Sequence, residues 1–401
     1  MKWNAFKSKL FCILFVGVSC LLSSVSWAQN ELKFDESGYN AVLERSKNEH
    51  KPIFYMLYAT WCTHCNKMKS EVFKDSTVTK FMNTNFICAG QDAEKGEGAY
   101  FKNRFGILNY PTFILMDEKG IELYNFSGEY KVTPFLSEMN TALNPEKQLP
   151  YLQRQFEAEP NNSDKCLAYL YALNRGRDRR MIAPVAKQYL ATQQESQLIS
   201  ANNWKIIANG VTDIQSREFQ YVLKHQKEFE TVASPKRVER KIINIVNEML
   251  TPYMESKDSV AYASRRMIAK SIALKKVDSL VFAFDISIAE KSKNWILYKK
   301  ITEEGTAKYV YKDAKTLLEI SRNYLNFVAD SNSLKNAIQW ALQAIELNET
   351  YDAEIIVAKL YQKTNDLEAA KIWANKAKTK NAAFGWSTKD ADELLLQLAT
   401  K

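Results

Sequence analysis

Glycine and proline are scarce in this chain, with 12 and 9 among 401 residues. Few segments can therefore be irregular, and a largely helical protein is expected. No arginine-rich block with interleaved aromatics is present, which speaks against a nucleic-acid partner. The formal net charge is only +9; Lys2, Lys7 and Lys9 lie in residues 1–28, a stretch without acids, and so +6 is left for the rest. Beyond residue 28 no apolar run reaches membrane-spanning length without charges, so no transmembrane segment is expected in the mature chain. Cysteines number six, and Cys12 and Cys20 fall in the first stretch. The remaining four, Cys62, Cys65, Cys88 and Cys166, are too few and too scattered for a disulfide scaffold.

What is present begins with a leader. Three lysines precede an apolar core, Leu10 to Leu22, and Ser26-Trp27-Ala28 offers a small-x-small cleavage site. Residues 1–28 thus read as a secretory signal and predict a periplasmic or otherwise exported protein. Gly17-Val18-Ser19-Cys20 offers lipoprotein anchoring as the less favoured variant.

The chain is organised around Tyr58-Ala59-Thr60-Trp61-Cys62-Thr63-His64-Cys65. An apolar run, Ile53 to Tyr58, reads as a buried strand leading into it, and amphipathic sequence follows. A strand that delivers Cys62 to the first turn of a helix would place its sulfur among unpaired backbone N–H groups, where a thiolate is stabilised. Cys65, one turn on, can close a small disulfide ring with it. Metal binding is the rival reading, because Cys62, His64 and Cys65 could supply three ligands. Without a second C-x-x-C or an H-x3-H, a fourth is missing. Asn66 after Cys65, where C-x-x-C-H needs histidine, speaks against covalent haem attachment.

Trp61-Cys62-Thr63-His64-Cys65 resembles the W-C-x-x-C of the thioredoxin superfamily, and Gly106-Ile107-Leu108-Asn109-Tyr110-Pro111-Thr112-Phe113 resembles that family's cis-proline loop. The resemblance covers residues 34–143. It implies an α/β thioredoxin-like domain with Phe113–Met116 and Ile121–Phe126 as a terminal hairpin and Val132–Leu143 as the last helix, while the residue pattern itself places an amphipathic helix at Phe34–Asn48 and a second buried strand at Phe86–Gln91. It also implies site roles. Cys62 would attack and Cys65 resolve. Trp61, Tyr110 and Pro111 would meet substrate. His64 would modulate the couple, since an imidazole between the cysteines can donate to the thiolate and raise the reduction potential. No organic cofactor or metal is implied. More broadly, the chain is similar to exported thioredoxin-family proteins of Bacteroidetes type with a helical C-terminal extension.

One departure stands out. The family's buried aspartate, six residues before the first cysteine, is Met56 here, and its partner lysine aligns with Cys88. Proton transfer from the resolving thiol then needs water or another group, and Glu71 is a candidate. Cys88 and Cys166 read as core thiols.

Asn144-Pro145-Glu146 to Pro150 marks the expected domain boundary. Beyond it helices are expected at Leu152–Phe156, Lys165–Leu173, Ile182–Leu190, Trp204–Ala208, Arg217–His225, Val238–Leu250, Val260–Leu274, Leu280–Lys291 and Tyr309–Phe327. Leu334 to Ala344 maps onto Leu367 to Ala377 at a shift of 33, with Leu, Ala, Trp, Ala and Ala in register and Asn348 on Asn381. The A-x3-A-x2-A spacing resembles the second helix of a tetratricopeptide repeat. Residues 150–401 are therefore read as an all-α, repeat-like domain, tetratricopeptide-like at about 313–398. The expected function is exported thiol–disulfide exchange with protein thiol and disulfide substrates, served by a membrane-borne electron donor or acceptor. The alternative is a protein-binding scaffold in which the helical domain does the main work and the thioredoxin module is a weakly active docking element.

Overall fold

Strand β1 (Ile53–Tyr58) carries six consecutive apolar or aromatic residues, which suits a central strand covered on both faces. In a computed structural model that describes residues 32–175, 180–255 and 258–400, it is the second strand of a four-stranded sheet. The order is β2 (Ile87–Asp92), β1, β3 (Thr112–Met116), β4 (Glu122–Ser127). β1 runs parallel to β2, from Ile53 opposite Ile87 to Tyr58 opposite Asp92, and antiparallel to β3, with Met56 opposite Phe113. β3 and β4 form an antiparallel hairpin. The signal reading of residues 1–28 and the lipoprotein variant lie outside the described residues.

The two-residue pleat sends β1 side chains into two cores. Phe54 and Met56 join Cys62, Cys65, Cys88, Phe113 and Phe135 on one face. Ile53, Tyr55 and Leu57 join Val42, Ile87, Phe101 and Ile114 on the other. Phe54 stacks on Phe113 at 5.4 Å between ring centroids. Each such fully buried side chain contributes roughly 1.5–3 kcal/mol of transfer free energy.

The chain divides into two compact units. The first holds the sheet and helices α1 (Tyr39–Glu49), α2 (Thr63–Lys67, continued by a π turn at Met68–Val72), α3 (Ser76–Asn85), α4 (Gly96–Arg104), α5 (Val132–Leu143), α6 (Leu149–Ala158), α7 (Ser163–Arg175) and α8 (Ile182–Leu190). α1 starts five residues later than the expected Phe34, because Gly38 at φ +98° turns the chain and Asp35 instead bridges to Ala89 beside β2. The expected boundary at 144–150 is a short 3-10 turn capped by Asn144, and the first unit continues past it to Gln197, with Lys205–Gly210. The reason is packing: the Arg175 guanidinium on α7 lies 3.8 Å from the centroid of Tyr124 on β4, and Arg175 also donates to the Lys147 carbonyl at 3.2 Å. A helical domain counted from residue 150 thus includes helices that belong with the sheet.

Helix α9 (Ala201–Gly210) is divided in sequence, with Ala201–Trp204 assigned to the second unit and Lys205–Gly210 to the first. The second unit is all helix: α10 (Arg217–Lys224), α11 (Gln226–Val232), α12 (Pro235–Leu250), α13 (Ser259–Lys270), α14 (Lys275–Lys291), α15 (Trp295–Tyr309), α16 (Ala314–Phe327), α17 (Ser331–Leu347), α18 (Tyr351–Lys363), α19 (Leu367–Ala383) and α20 (Lys389–Ala399). Starts are set by polar caps: Ser234, Asp258, Asn294, Asp313, Asp330, Thr350 and Asp366 each accept an N–H three residues on. The expected single helix Tyr309–Phe327 is broken for this reason, since Asp313 caps a new one and Tyr309 closes a helix, Trp295–Tyr309, absent from the sequence reading. Likewise the expected Val260–Leu274 ends at Lys270, and Leu274 precedes the next helix. In the repeat, Ala337, Ala341 and Ala344 are buried on α17, as Ala370, Ala374 and Ala377 are on α19. Asn348 and Asn381 differ: the first ends α17, and the second is buried within α19.

Candidate active site

β1 delivers the chain to a tight turn in which the Cys62 N–H donates to the Ala59 carbonyl at 3.1 Å. Cys62, with extended backbone at φ −77° and ψ 107°, caps α2. Its sulfur accepts the Cys65 N–H at 3.1 Å, so one of the unpaired donors of the first helical turn points at the attacking atom. Cys62 and Cys65 are joined as a disulfide with Cα atoms 5.3 Å apart. Cys62 is 4% exposed and Cys65 wholly buried, so the residue nearer solvent is the expected nucleophile.

Trp61 is 67% exposed beside the pair. Its indole N–H donates to the Glu94 carboxylate at 2.9 Å, and its ring stands edge-on to Tyr110 at 6.0 Å. That contact brings the Tyr110–Pro111 loop to the cysteines. The Tyr110–Pro111 peptide is cis. Pro111 is buried and its carbonyl accepts the Gly128 N–H at 2.9 Å, while the Thr112 hydroxyl donates to the Asn109 carbonyl at 2.8 Å. All six expected site residues therefore sit at one end of the sheet.

His64 lies on the exposed side of α2, with Nδ1 2.5 Å from Glu129 Oε2. Lys67 Nζ lies 3.2 Å from the other oxygen of the same carboxylate. These two partners, His64 first, hold the Glu129 carboxyl below its ordinary range. The adjacent Tyr130 N–H donates to Met68 Sδ at 3.2 Å, tying the loop after β4 to the helix. Glu129 and Glu94 escaped sequence reading. Both sit in loops with no local motif, and only the strand order brings those loops to α2.

The proton path differs from the expectation. Met56 is fully buried in the apolar cluster of the cysteines, opposite Gly90 and Phe113, and Cys88 faces Phe54 rather than Met56 across β1 and β2. Glu71, the candidate acceptor, is exposed on the π turn that continues α2. Burial pushes the free Cys88 and Cys166 thiols up to about 12, which disfavours the thiolate at both. Among the described residues no cluster of three or more His, Cys, Asp or Glu is disposed to hold a metal, and no helix is long and apolar enough to cross a membrane.

Residues 39–143 match the family described as a thioredoxin-like domain. The chain is 32% identical over 84 residues to the thiol:disulfide interchange protein DsbD of Yersinia pestis, covering 21% of this chain and 14% of that protein. It is 32% identical over 80 residues to protein disulfide-isomerase A5 of Bos taurus, covering 20% and 15%. The chain thus spans about one-seventh of the length of these curated relatives. A solution structure of a candidate disulphide-isomerase from Bacteroides thetaiotaomicron is 29% identical, covering 28% of this chain and 93% of that one at a TM-score of 0.27. The DsbD C-terminal domain of Neisseria meningitidis is 19% identical, covering 28% and 98% at 0.25.

Proposed function

Because residues 39–143 are a thioredoxin-like domain, we propose that the chain is an exported thiol–disulfide oxidoreductase acting on protein substrates. The observation that carries the reading is the Cys62–Cys65 pair at the head of α2, with the less buried cysteine next to Trp61, and the cis Tyr110–Pro111 peptide. The Cys62 thiolate attacks a substrate disulfide. A Cys62–substrate S–S bond forms, the substrate S–S bond breaks, and the released substrate thiolate takes up a proton. Cys65, as thiolate, then attacks the Cys62 sulfur, closes the Cys62–Cys65 bond and releases the second substrate thiol. Two electrons pass from the dithiol to the substrate, and the reverse sequence oxidises a substrate dithiol. Tyr110 and Pro111 present an extended substrate backbone to Cys62.

The leader pattern at residues 1–28 supports export to the Gram-negative envelope. The resemblance to exported members of the superfamily supports a membrane-borne redox partner. The second, helical unit selects or holds the protein substrate, with a tetratricopeptide-like region at about 313–398.

A Cys65→Ala variant tests the exchange reading. It should accumulate mixed disulfides on Cys62 that a reductant releases and that a Cys62→Ser/Cys65→Ala variant lacks. Equal capture by both variants, or none by either, would contradict the reading. The apolar burial of Met56 in place of an acid favours a second reading, a scaffold whose thioredoxin module is only a docking element. Full biological activity in a Cys62→Ser variant would establish that one instead.

A further inference from the structure

A histidine between the two cysteines places a hydrogen-bonding ring, cationic when protonated, next to Cys62. On its own this stabilises the thiolate, hence the reduced dithiol, and makes the couple more oxidising. The structure adds a group that acts against this. Glu129 lies in the loop after β4, just beyond Gly128 at φ +111°, and both oxygens of its carboxylate face α2. Oε2 meets His64 Nδ1 at 2.5 Å and Oε1 meets Lys67 Nζ at 3.2 Å. One carboxylate therefore engages the imidazole and the ammonium group that follow Cys62 on the helix.

The loop that carries Glu129 is itself fixed. Gly128 donates to the Pro111 carbonyl at 2.9 Å, and Tyr130 donates to Met68 Sδ at 3.2 Å, so its ends are tied to the cis-proline loop and to the dithiol helix. Glu129 is thus held by the same two elements that frame Cys62. The pairs are solvent-exposed, with His64 at 66% and Glu129 at 32% side-chain exposure. Exposed pairs contribute little to stability. Their effect here lies in where charge and a ring nitrogen are placed.

Resting on the oxidoreductase reading above, we propose that Glu129 is a positioning residue that orients His64 away from Cys62, so that the Cys62–Cys65 couple is less oxidising than the W-C-T-H-C motif alone would make it. The Nδ1 edge of His64 is committed to Glu129 and is withheld from the Cys62 sulfur. The disulfide is accordingly favoured over the dithiol, which suits a donor of electrons to substrate disulfides more than an oxidant.

The test equilibrates four full-length proteins with glutathione: the wild type, Glu129→Gln, His64→Ala and the double variant. Glu129→Gln should move the equilibrium about threefold to tenfold toward the dithiol, where tenfold corresponds to about 30 mV for this two-electron couple. In the His64→Ala background the same substitution should move it less than about twofold, because the oriented imidazole is gone. A purely structural role for Glu129 would move neither equilibrium. An unchanged potential in Glu129→Gln overturns the proposal, as does an equal shift in both backgrounds. A wild-type protein that never closes Cys62 onto Cys65 at any glutathione ratio overturns this proposal and the oxidoreductase reading together.

Discussion

The indole N–H of Trp61 donates to the Glu94 carboxylate across 2.9 Å, which ties the residue before Cys62 to the loop that follows β2. The ring itself is 67% exposed and edge-on to Tyr110, so it is held in place without being covered. In a Glu94→Ala variant Trp61 loses this tether. Its fluorescence should change, while denaturant unfolding shifts by less than about 1 kcal/mol, since the bond is exposed to water. For exchange with a disulfide peptide, KM should rise on the order of twofold to fivefold with kcat nearly constant, as expected when one ground-state positioning hydrogen bond is lost.

Met56 occupies a fully buried place among the cysteines and Phe113. Met56→Asp would put a carboxyl there with no partner, and stability should fall by about 2–4 kcal/mol. Met56→Leu, which preserves volume, should cost less than about 1.5 kcal/mol. Urea midpoints of the two variants check the pair. Equal midpoints would show that position 56 is not desolvated.

Cys88 is buried and free, with its thiol pushed up to about 12 from the ordinary 9.0 by desolvation. Between these values the native state holds a proton that the unfolded chain releases. Stability contributed by this group is therefore complete below about pH 9 and declines as pH rises toward 12, by up to about 1.4 kcal/mol per pH unit. A Cys88→Ala variant should show a shallower alkaline loss of unfolding free energy than the wild type. At pH 8, iodoacetamide should modify reduced Cys62 and leave Cys88 untouched until the protein unfolds.

Gly120 closes the β3–β4 turn at φ +76°, and a Cβ placed there would lie 1.9 Å from the Tyr39 hydroxyl. Gly120→Ala should destabilise by about 1–3 kcal/mol through backbone strain and this clash. Adding Tyr39→Phe removes the oxygen and should restore part of the loss in thermal unfolding. No recovery in the double variant would assign the cost to the backbone alone.

The parts of the fold that follow local rules were legible in the sequence. β1 appears at Ile53–Tyr58 and α5 at Val132–Leu143, where an unbroken apolar run and a 3.6-residue period leave little choice. Cys62 takes the cap position of α2, and Tyr110–Pro111 is the cis peptide. Features set by distant residues were not legible. Glu94 and Glu129 are separated from Trp61 and His64 by 33 and 65 positions, and nothing in their neighbourhoods marks them. The Asn144-Pro145-Glu146 punctuation is a real local turn, yet Arg175 reaches back to Tyr124 and keeps the following helices with the sheet. Asp313 was the reverse case, a cap signal overlooked inside an apolar pattern, and it splits one expected helix into two.

The most direct test of the account is the equilibrium between Cys62–Cys65 and glutathione, read by alkylation and mass spectrometry. One reversible two-electron couple is expected between roughly −180 and −270 mV, with Cys62 alkylated before Cys65 on partial reduction. A pair that never closes at any glutathione ratio, or one in which Cys65 reacts first, would contradict it.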